Sequence, residues 1–265
     1  MDRIRARVIT LRSVKYQDRD QIVSGLSESY GKISALAKNS IQSRRYGGCL
    51  DPFVASEWQM SRRPESDLWS LERSEARRDF AGIRGDFVKL STASYWNELI
   101  LKLVPENEPL PLLFKLHVNA LIALEEDKSG SSYALLCGYL GKFLQLNGAP
   151  PQLSSCLRCQ RAIESFQVQE EVRMEGEAGG WTCHSCPRVG AQYGFHPLST
   201  GLLRIFRGAL EIPIRQSPTH LGPVLSESEG EKLFEFLIEF SSFHLPGHDP
   251  NSFNSLRFIR KKTST

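Results

Sequence analysis

Two cysteine pairs, Cys156-x-x-Cys159 and Cys183-x-x-Cys186, constrain this chain more than any other feature, because two such knuckles brought together offer four thiolates to one tetrahedral ion. The 23 residues between them, Gln160 to Thr182, include the turn-rich run Met174-Glu-Gly-Glu-Ala-Gly-Gly180, which suits a small ribbon that doubles back. One structural Zn2+ on Cys156, Cys159, Cys183 and Cys186 is the expectation, and a disulfide or redox pair is the alternative. A redox pair sits naturally where a strand meets a helix, whereas these knuckles follow a Pro150-Pro151 break in loop-forming sequence. Four thiolates leave no position open for water, so this metal is read as a staple and not a catalyst. His184, between the second pair, and the nearby His196 are weaker ligand candidates.

Catalytic patterns are absent. No His-x-Glu tripeptide precedes Cys156, which removes the zinc deaminase reading. Gly25-Leu-Ser-Glu-Ser-Tyr-Gly31-Lys32-Ile33 has five residues between its glycines and Ile where a P-loop needs Ser or Thr for magnesium, and it fits a hairpin better. There is neither a G-x-S-x-G elbow nor an H-E-x-x-H helix, so no enzymatic activity is expected.

Charge is unevenly spread. Residues 1–63 carry 12 Lys/Arg against 6 Asp/Glu, and the remainder 21 against 24, so the formal +3 hides a basic front end and an acidic rest. Such asymmetry suits a polyanionic partner, since Lys and Arg that neutralise phosphates release condensed counterions. No basic head followed by an apolar run opens the chain, and no apolar stretch is long enough to span a bilayer, so a cytoplasmic protein with no membrane partner is expected. Cys49 and Cys137 read as reduced, semi-buried thiols.

The first eighty residues have the alternation of short strands. Along Arg3–Leu11, Ile4, Ala6 and Val8 share one face and Arg3, Arg5 and Arg7 the other, predicting a core side and a cationic side. Gln21–Ser27 and Lys32–Lys38 flank a turn at Glu28–Gly31, and Asp51–Ser61 and Asp67–Glu72 bracket Arg62–Ser66. Five antiparallel strands suit an OB-fold barrel, with an SH3-like barrel of equal count as the alternative. From Asp86 the apolar period becomes helical, with helices expected to about Pro105 and at about 110–126, 131–147, 199–210 and 227–243. The expected fold class is α+β: an OB-fold over 1–80, a helical bundle over 81–150 and 198–265 ending in a basic tail, Arg257–Lys262, and a four-cysteine insert over 151–197 between its helices.

This order resembles the bacterial recombination mediator family RecO. The resemblance covers most of the chain, and its most local support is Gln17-Asp18-Arg19-Asp20-Gln21-Ile22-Val23, then Tyr30-Gly31-Lys32, Ala37-Lys38, and Arg44-Arg45-Tyr46-Gly47-Gly48 running to Leu50-Asp51-Pro52-Phe53. The chain departs from the family at Asp18-Arg19, at Asn39 in place of a glycine, and at Ile41-Gln42 where further cations are usual.

The resemblance implies a non-catalytic DNA-repair protein, bacterial and nucleoid-associated, that binds single- and double-stranded DNA and anneals complementary strands. With RecR it would load RecA onto strands covered by single-strand-binding protein, whose C-terminal tail it would contact; RecF is a further partner implied. Lys32, Lys38, Arg44 and Arg45 are the phosphate contacts expected, with Arg5 and Arg7 secondary. Tyr30, Tyr46 and Trp58 are candidates for base stacking, though core packing is the more common fate of such residues. A zinc-ribbon adaptor bridging proteins in transcription or translation is the competing reading, and a zinc hydrolase a third.

Overall fold

The computed structural model describes residues 2–62, 66, 68–129, 132–189 and 194–261. Arg63, Pro64 and Glu65 of the expected turn and Lys262 of the basic tail lie outside the described residues. The chain forms two compact units, Met1–Glu125 and Glu126–Thr265.

The first unit opens with five strands: β1 (Asp2–Tyr16), β2 (Asp20–Ser27), β3 (Gly31–Ala37), β4 (Val54–Arg62) and β5 (Trp69–Asp79). They close into a barrel in the order β1-β2-β3-β5-β4, with β4 antiparallel to β1 sealing it and β3 parallel to β5. Because β5 and not β4 lies beside β3, the connection is the Greek key of the OB-fold, which decides against a meandering SH3-like barrel. The alternation on β1 holds: Ala6 and Val8 are buried and Ile4 packs against the same core, while Arg3, Arg5 and Arg7 are exposed. A bulge between Thr10 and Arg12 resets the register against β2.

Trp58 and Met60 from β4, Val23, Ile33 and Ala35 from β2 and β3, and Trp69 and Leu71 from β5 fill the interior. A 3-10 turn at Arg44–Tyr46, capped by the Ser43 hydroxyl, carries Tyr46 into that interior, where its hydroxyl donates to the Leu71 carbonyl at 3.1 Å. Three helices complete the unit: α1 (Ala81–Arg84), α2 (Phe87–Leu103) and α3 (Pro111–Glu126), the last running one residue beyond it. The Asp86 carboxylate caps α2 by accepting from the Val88 and Lys89 amides. Asn97 of α2 donates to the Leu11 carbonyl at 2.8 Å, which fixes the helix against β1.

The second unit contains α4 (Tyr133–Leu146), a three-stranded sheet ordered β7-β6-β8 from β6 (Glu171–Glu175), β7 (Gly180–Thr182) and β8 (His196–Ser199), then α5 (Thr200–Glu211), α6 (Ser217–Leu221), α7 (Glu227–His244) and α8 (Asn254–Lys261). α4 is apolar nearly all round because it is surrounded within this unit: Leu135, Tyr139, Leu140, Phe143 and Leu144 are all buried. α7 begins at a capping box, Ser226 and Glu229, and buries Leu233, Phe234, Leu237 and Ile238. Among the described residues no helix is long and apolar enough to cross a membrane.

Two residues of the first unit make its stability testable. Gly31 ends the β2–β3 turn at φ 68°, and a Cβ there would lie 1.7 Å from the Glu108 carbonyl oxygen. Gly31→Ala therefore combines left-handed strain with a backbone clash and should lower urea-unfolding stability by about 3 kcal/mol or more. His117 of α3 is fully buried, and burial alone pushes its imidazole down from 6.5 to about 3. Between those values the unfolded chain binds the proton and the folded chain does not. This contribution to stability is thus complete above pH 6.5 and lost as pH falls toward 3. His117→Leu should flatten the urea midpoint against pH across that window.

Candidate functional site

The four cysteines of the two knuckles come together. Their sulfurs all lie within 4.8 Å of one another, and those of Cys159 and Cys183 are 3.9 Å apart. Thiolates about 2.3 Å from one tetrahedral zinc are separated by about 3.8 Å, whereas a disulfide needs about 2 Å, so the spacing fits a shared ion. None of the four is in a disulfide. His184 is exposed and outside the cluster, and His196 hydrogen-bonds Glu239 at 2.7 Å.

Backbone geometry prepares the first knuckle. Gln160, at φ 57°, turns the chain so that its amide donates to the Cys156 carbonyl, and the Cys156 amide donates to the Arg161 carbonyl. The Leu157 amide donates to the Trp181 carbonyl, tying this knuckle to β7. Gly180 is needed for the neighbouring bridge to Gln152, since a Cβ there would lie 2.8 Å from the Gln152 carbonyl oxygen. Trp181 is fully buried below, its indole donating to the Leu153 carbonyl at 3.1 Å.

Residues of β6 hold the second knuckle. Arg173 donates from one guanidinium nitrogen to the carbonyls of both Cys183 and Cys186. Glu175, on the same face of the strand and buried, accepts from the Thr182 hydroxyl and from the Val189 amide, which fixes the chain on either side of the cysteines.

The thiols themselves call for a cation. Burial pushes Cys156 up, but amide donors from Cys159, Cys183 and Arg158 outweigh it and hold the thiol down to about 7. Cys186 is instead pushed up to about 12, first by its hydrogen bond with the Cys183 thiol and then by burial. Four sulfurs this close cannot all ionise unless a positive ion lies among them. The cluster can hold one metal ion, and its donor set is that of a closed structural zinc site.

The expected phosphate contacts fare differently. Lys32 is buried, its ammonium donating to the Leu101 carbonyl at 2.9 Å, and its pKa is lowered, mainly by burial and further by Arg12 although Glu106 opposes this. It thus sits inside the unit and not on an open face. Arg5 and Arg7 are exposed but paired, Arg5 with Glu57 and Arg7 with Glu28, while Arg3 lies 3.8 Å from Glu72. The outer face of β1 is therefore balanced in charge and not simply cationic, because β4 places Glu57 opposite Arg7.

Lys38 and Arg45 are exposed, and the Tyr46 hydroxyl donates to the Lys38 carbonyl at 3.3 Å, which brings the two cations to one end of the barrel. The side chain of Arg44 lies outside the described residues. The β1–β2 tip joins the same end, since the Asn39 amide donates to Asp20 at 2.8 Å and the Ile41 amide to the Arg19 carbonyl at 3.3 Å. Lys15 and Arg19 are thereby added to the cationic rim, Arg62 joins it at the end of β4 where it lines one groove with Lys38, and reading along the sequence misses all three. For Lys15 the signal is the uncharged Gln21 opposite it on β2, visible only once register is known; Arg62 has Asp2 opposite it on β1, whose side chain lies outside the described residues. The stacking candidates go to the core: Trp58 and Tyr46 are buried and Tyr30 packs partly buried on Trp69 at 6.2 Å between centroids.

An OB-fold barrel with a cationic end, followed by a helical unit carrying a four-thiolate centre, defines the class. Comparison with known proteins agrees in both halves: Recombination protein O N terminal matches residues 1–80, and Recombination protein O C terminal matches residues 84–252. A "DNA repair protein RecO" from Anaeromyxobacter sp. (strain K) is 32% identical over 251 residues, covering 92% of each chain. Those of Desulfatibacillum aliphaticivorans and Geobacter sulfurreducens are 30% and 27% identical over 96% and 99% of this chain, and 96% and 100% of their own. The chain belongs to the RecO family, and its role is in DNA repair.

The metal centre yields a direct test. Arg173→Ala removes the guanidinium that aligns both carbonyls of the second knuckle, and competition with a chromogenic chelator should show zinc affinity reduced about 10- to 100-fold. The Cys156→Ser, Cys183→Ser double variant should bind no zinc and lose thermal stability in the second unit.

Proposed function

We propose that this protein is a non-catalytic recombination mediator. It binds single- and double-stranded DNA at the loop end of its barrel, anneals complementary strands and, with RecR, supports loading of RecA onto DNA coated by single-strand-binding protein. The observation that carries this reading is the sorting of cations on the barrel. Arg3, Arg5, Arg7, Arg77, Arg78 and Arg84 are matched by carboxylates, whereas Lys15, Arg19, Lys38, Arg45 and Arg62 form no ion pair among the described residues and gather at one end; Arg12 and Arg73, within β1 and β5, are likewise without an ion pair among them but stand apart from that end. Cations already neutralised gain little from a phosphate, while free ones exchange water and counterions for it. Arg44 belongs to this set by position, whereas Lys32, at the opposite end of β3 with its ammonium on the Leu101 carbonyl, does not.

Annealing needs no catalytic group if two strands are neutralised together with their bases left free to pair. The four thiolates hold one structural zinc in this reading, the helical segments 81–150 and 198–265 take the tail of single-strand-binding protein, and RecR and RecF are its further partners. The protein then works in the bacterial cytoplasm, at the nucleoid.

Reversing Lys38, Arg44 and Arg45 to Glu should weaken binding of labelled single strands severely and reduce the slope of log affinity against log salt by about one for each phosphate no longer neutralised, with the fold unchanged by circular dichroism. ATP-independent annealing of complementary oligonucleotides should fall in parallel. A wild-type protein that neither binds nor anneals at low salt would sink this reading in favour of the adaptor.

A further inference from the structure

The cationic end of the barrel contains a concavity that charge alone does not explain. The last residues of β3 and β4 and the start of β5 enclose a groove of about 410 Å³, within the range that accepts a small organic group. Its floor is apolar, from half-buried Leu36 and Leu68 and the buried ring of Trp69. Lys38 and Arg62 line it, and no carboxylate does so among the described residues.

Arg62 is held in place by the groove wall itself. Its guanidinium lies 4.6 Å from the centroid of the Trp69 ring, while the edge-on contact with Tyr30 fixes the indole from another side. Among the described residues the buried Trp69 Nε1 has no hydrogen-bond acceptor. The site therefore combines an apolar floor with two cations, and among the described residues its lining holds no acid.

Resting on the nucleic-acid reading proposed above, we infer that this groove is a subsite for one unpaired nucleotide. Its base lies on the Leu36–Leu68–Trp69 floor and its flanking phosphates meet Lys38 and Arg62. A base within a duplex has both faces covered by its neighbours and cannot enter a concavity; one in a single strand can leave the stack at little cost. The groove thus favours single strands, whereas the surrounding rim of Lys15, Arg19 and Arg45 serves either form through phosphate alone. An annealing protein gains from that division, because a base held in the groove is released when it pairs.

Two variants of the full chain separate floor from charge. Ser70, half-buried on the groove wall, is replaced in Ser70→Phe, which fills the space and leaves every cation; Arg62→Ala opens the wall instead. Fluorescence anisotropy is measured with labelled oligothymidylate and with a duplex of equal length, after circular dichroism confirms that each variant is folded. Ser70→Phe should weaken single-strand binding about tenfold with duplex affinity within about twofold of wild type. Arg62→Ala should weaken both, single strands more. Wild-type single-strand affinity in Ser70→Phe, or an equal loss on both ligands, overturns the subsite while leaving the DNA-binding reading intact. Failure of the wild-type protein to bind either ligand overturns both.

Discussion

Closure of the barrel is the constraint from which the rest of the first unit follows. β1 is long enough to pair with β2 along one edge and β4 along the other, so no strand edge remains open and one face of every strand must fill the interior. That demand forces Trp58 and Tyr46 inward, out of reach of bases, and leaves of Trp69 only the part that lines the groove. It also fixes which charges face each other. Glu57 takes Arg5 and Glu28 takes Arg7 before any ligand arrives, and Lys15, Arg19, Lys38, Arg45 and Arg62 lie where strands end and loops begin.

The second unit solves a different problem by different means. Its small sheet has only three strands, too few to bury a core alone, and it draws order from two sources. Trp181, Val172 and Met174 supply apolar packing, while the four thiols, set by backbone turns and by Arg173 and Glu175, supply a place for an ion. Contacts to α7 continue this pattern: His196 meets Glu239, and His244 meets the Gly176 carbonyl at 3.0 Å. A metal bound here organises the ribbon in the way a disulfide would, with geometry set by four ligands in place of two.

Much of the architecture is legible in residue order alone. Alternation in Arg3–Leu11, the glycine at position 31 and the change of period after Asp86 suffice to place strands and helices, since each reports a local preference of the backbone. The cysteine spacing carries the metal centre for a related reason: a CxxC knuckle is a local structure, and only the meeting of two knuckles needs the fold. The phosphate contacts are far less legible. Lys32, Arg5 and Arg7 look identical to Lys38 and Arg45 as letters, yet one is pinned to a helix carbonyl and two are answered by glutamates distant in the chain.

The chain's sequence by itself determined the element types, the barrel-then-helix order, the four-thiolate set and the basic front end, because periodicity, turn chemistry and ligand spacing act over a few residues. Tertiary structure alone decided the strand order that makes the barrel an OB-fold, the burial of Lys32, Tyr46 and Trp58, and the meeting of Lys38 and Arg62 at one groove. Those outcomes depend on register between strands far apart in the chain, and a lysine's worth to a phosphate is set by what else stands within a few ångströms of its ammonium.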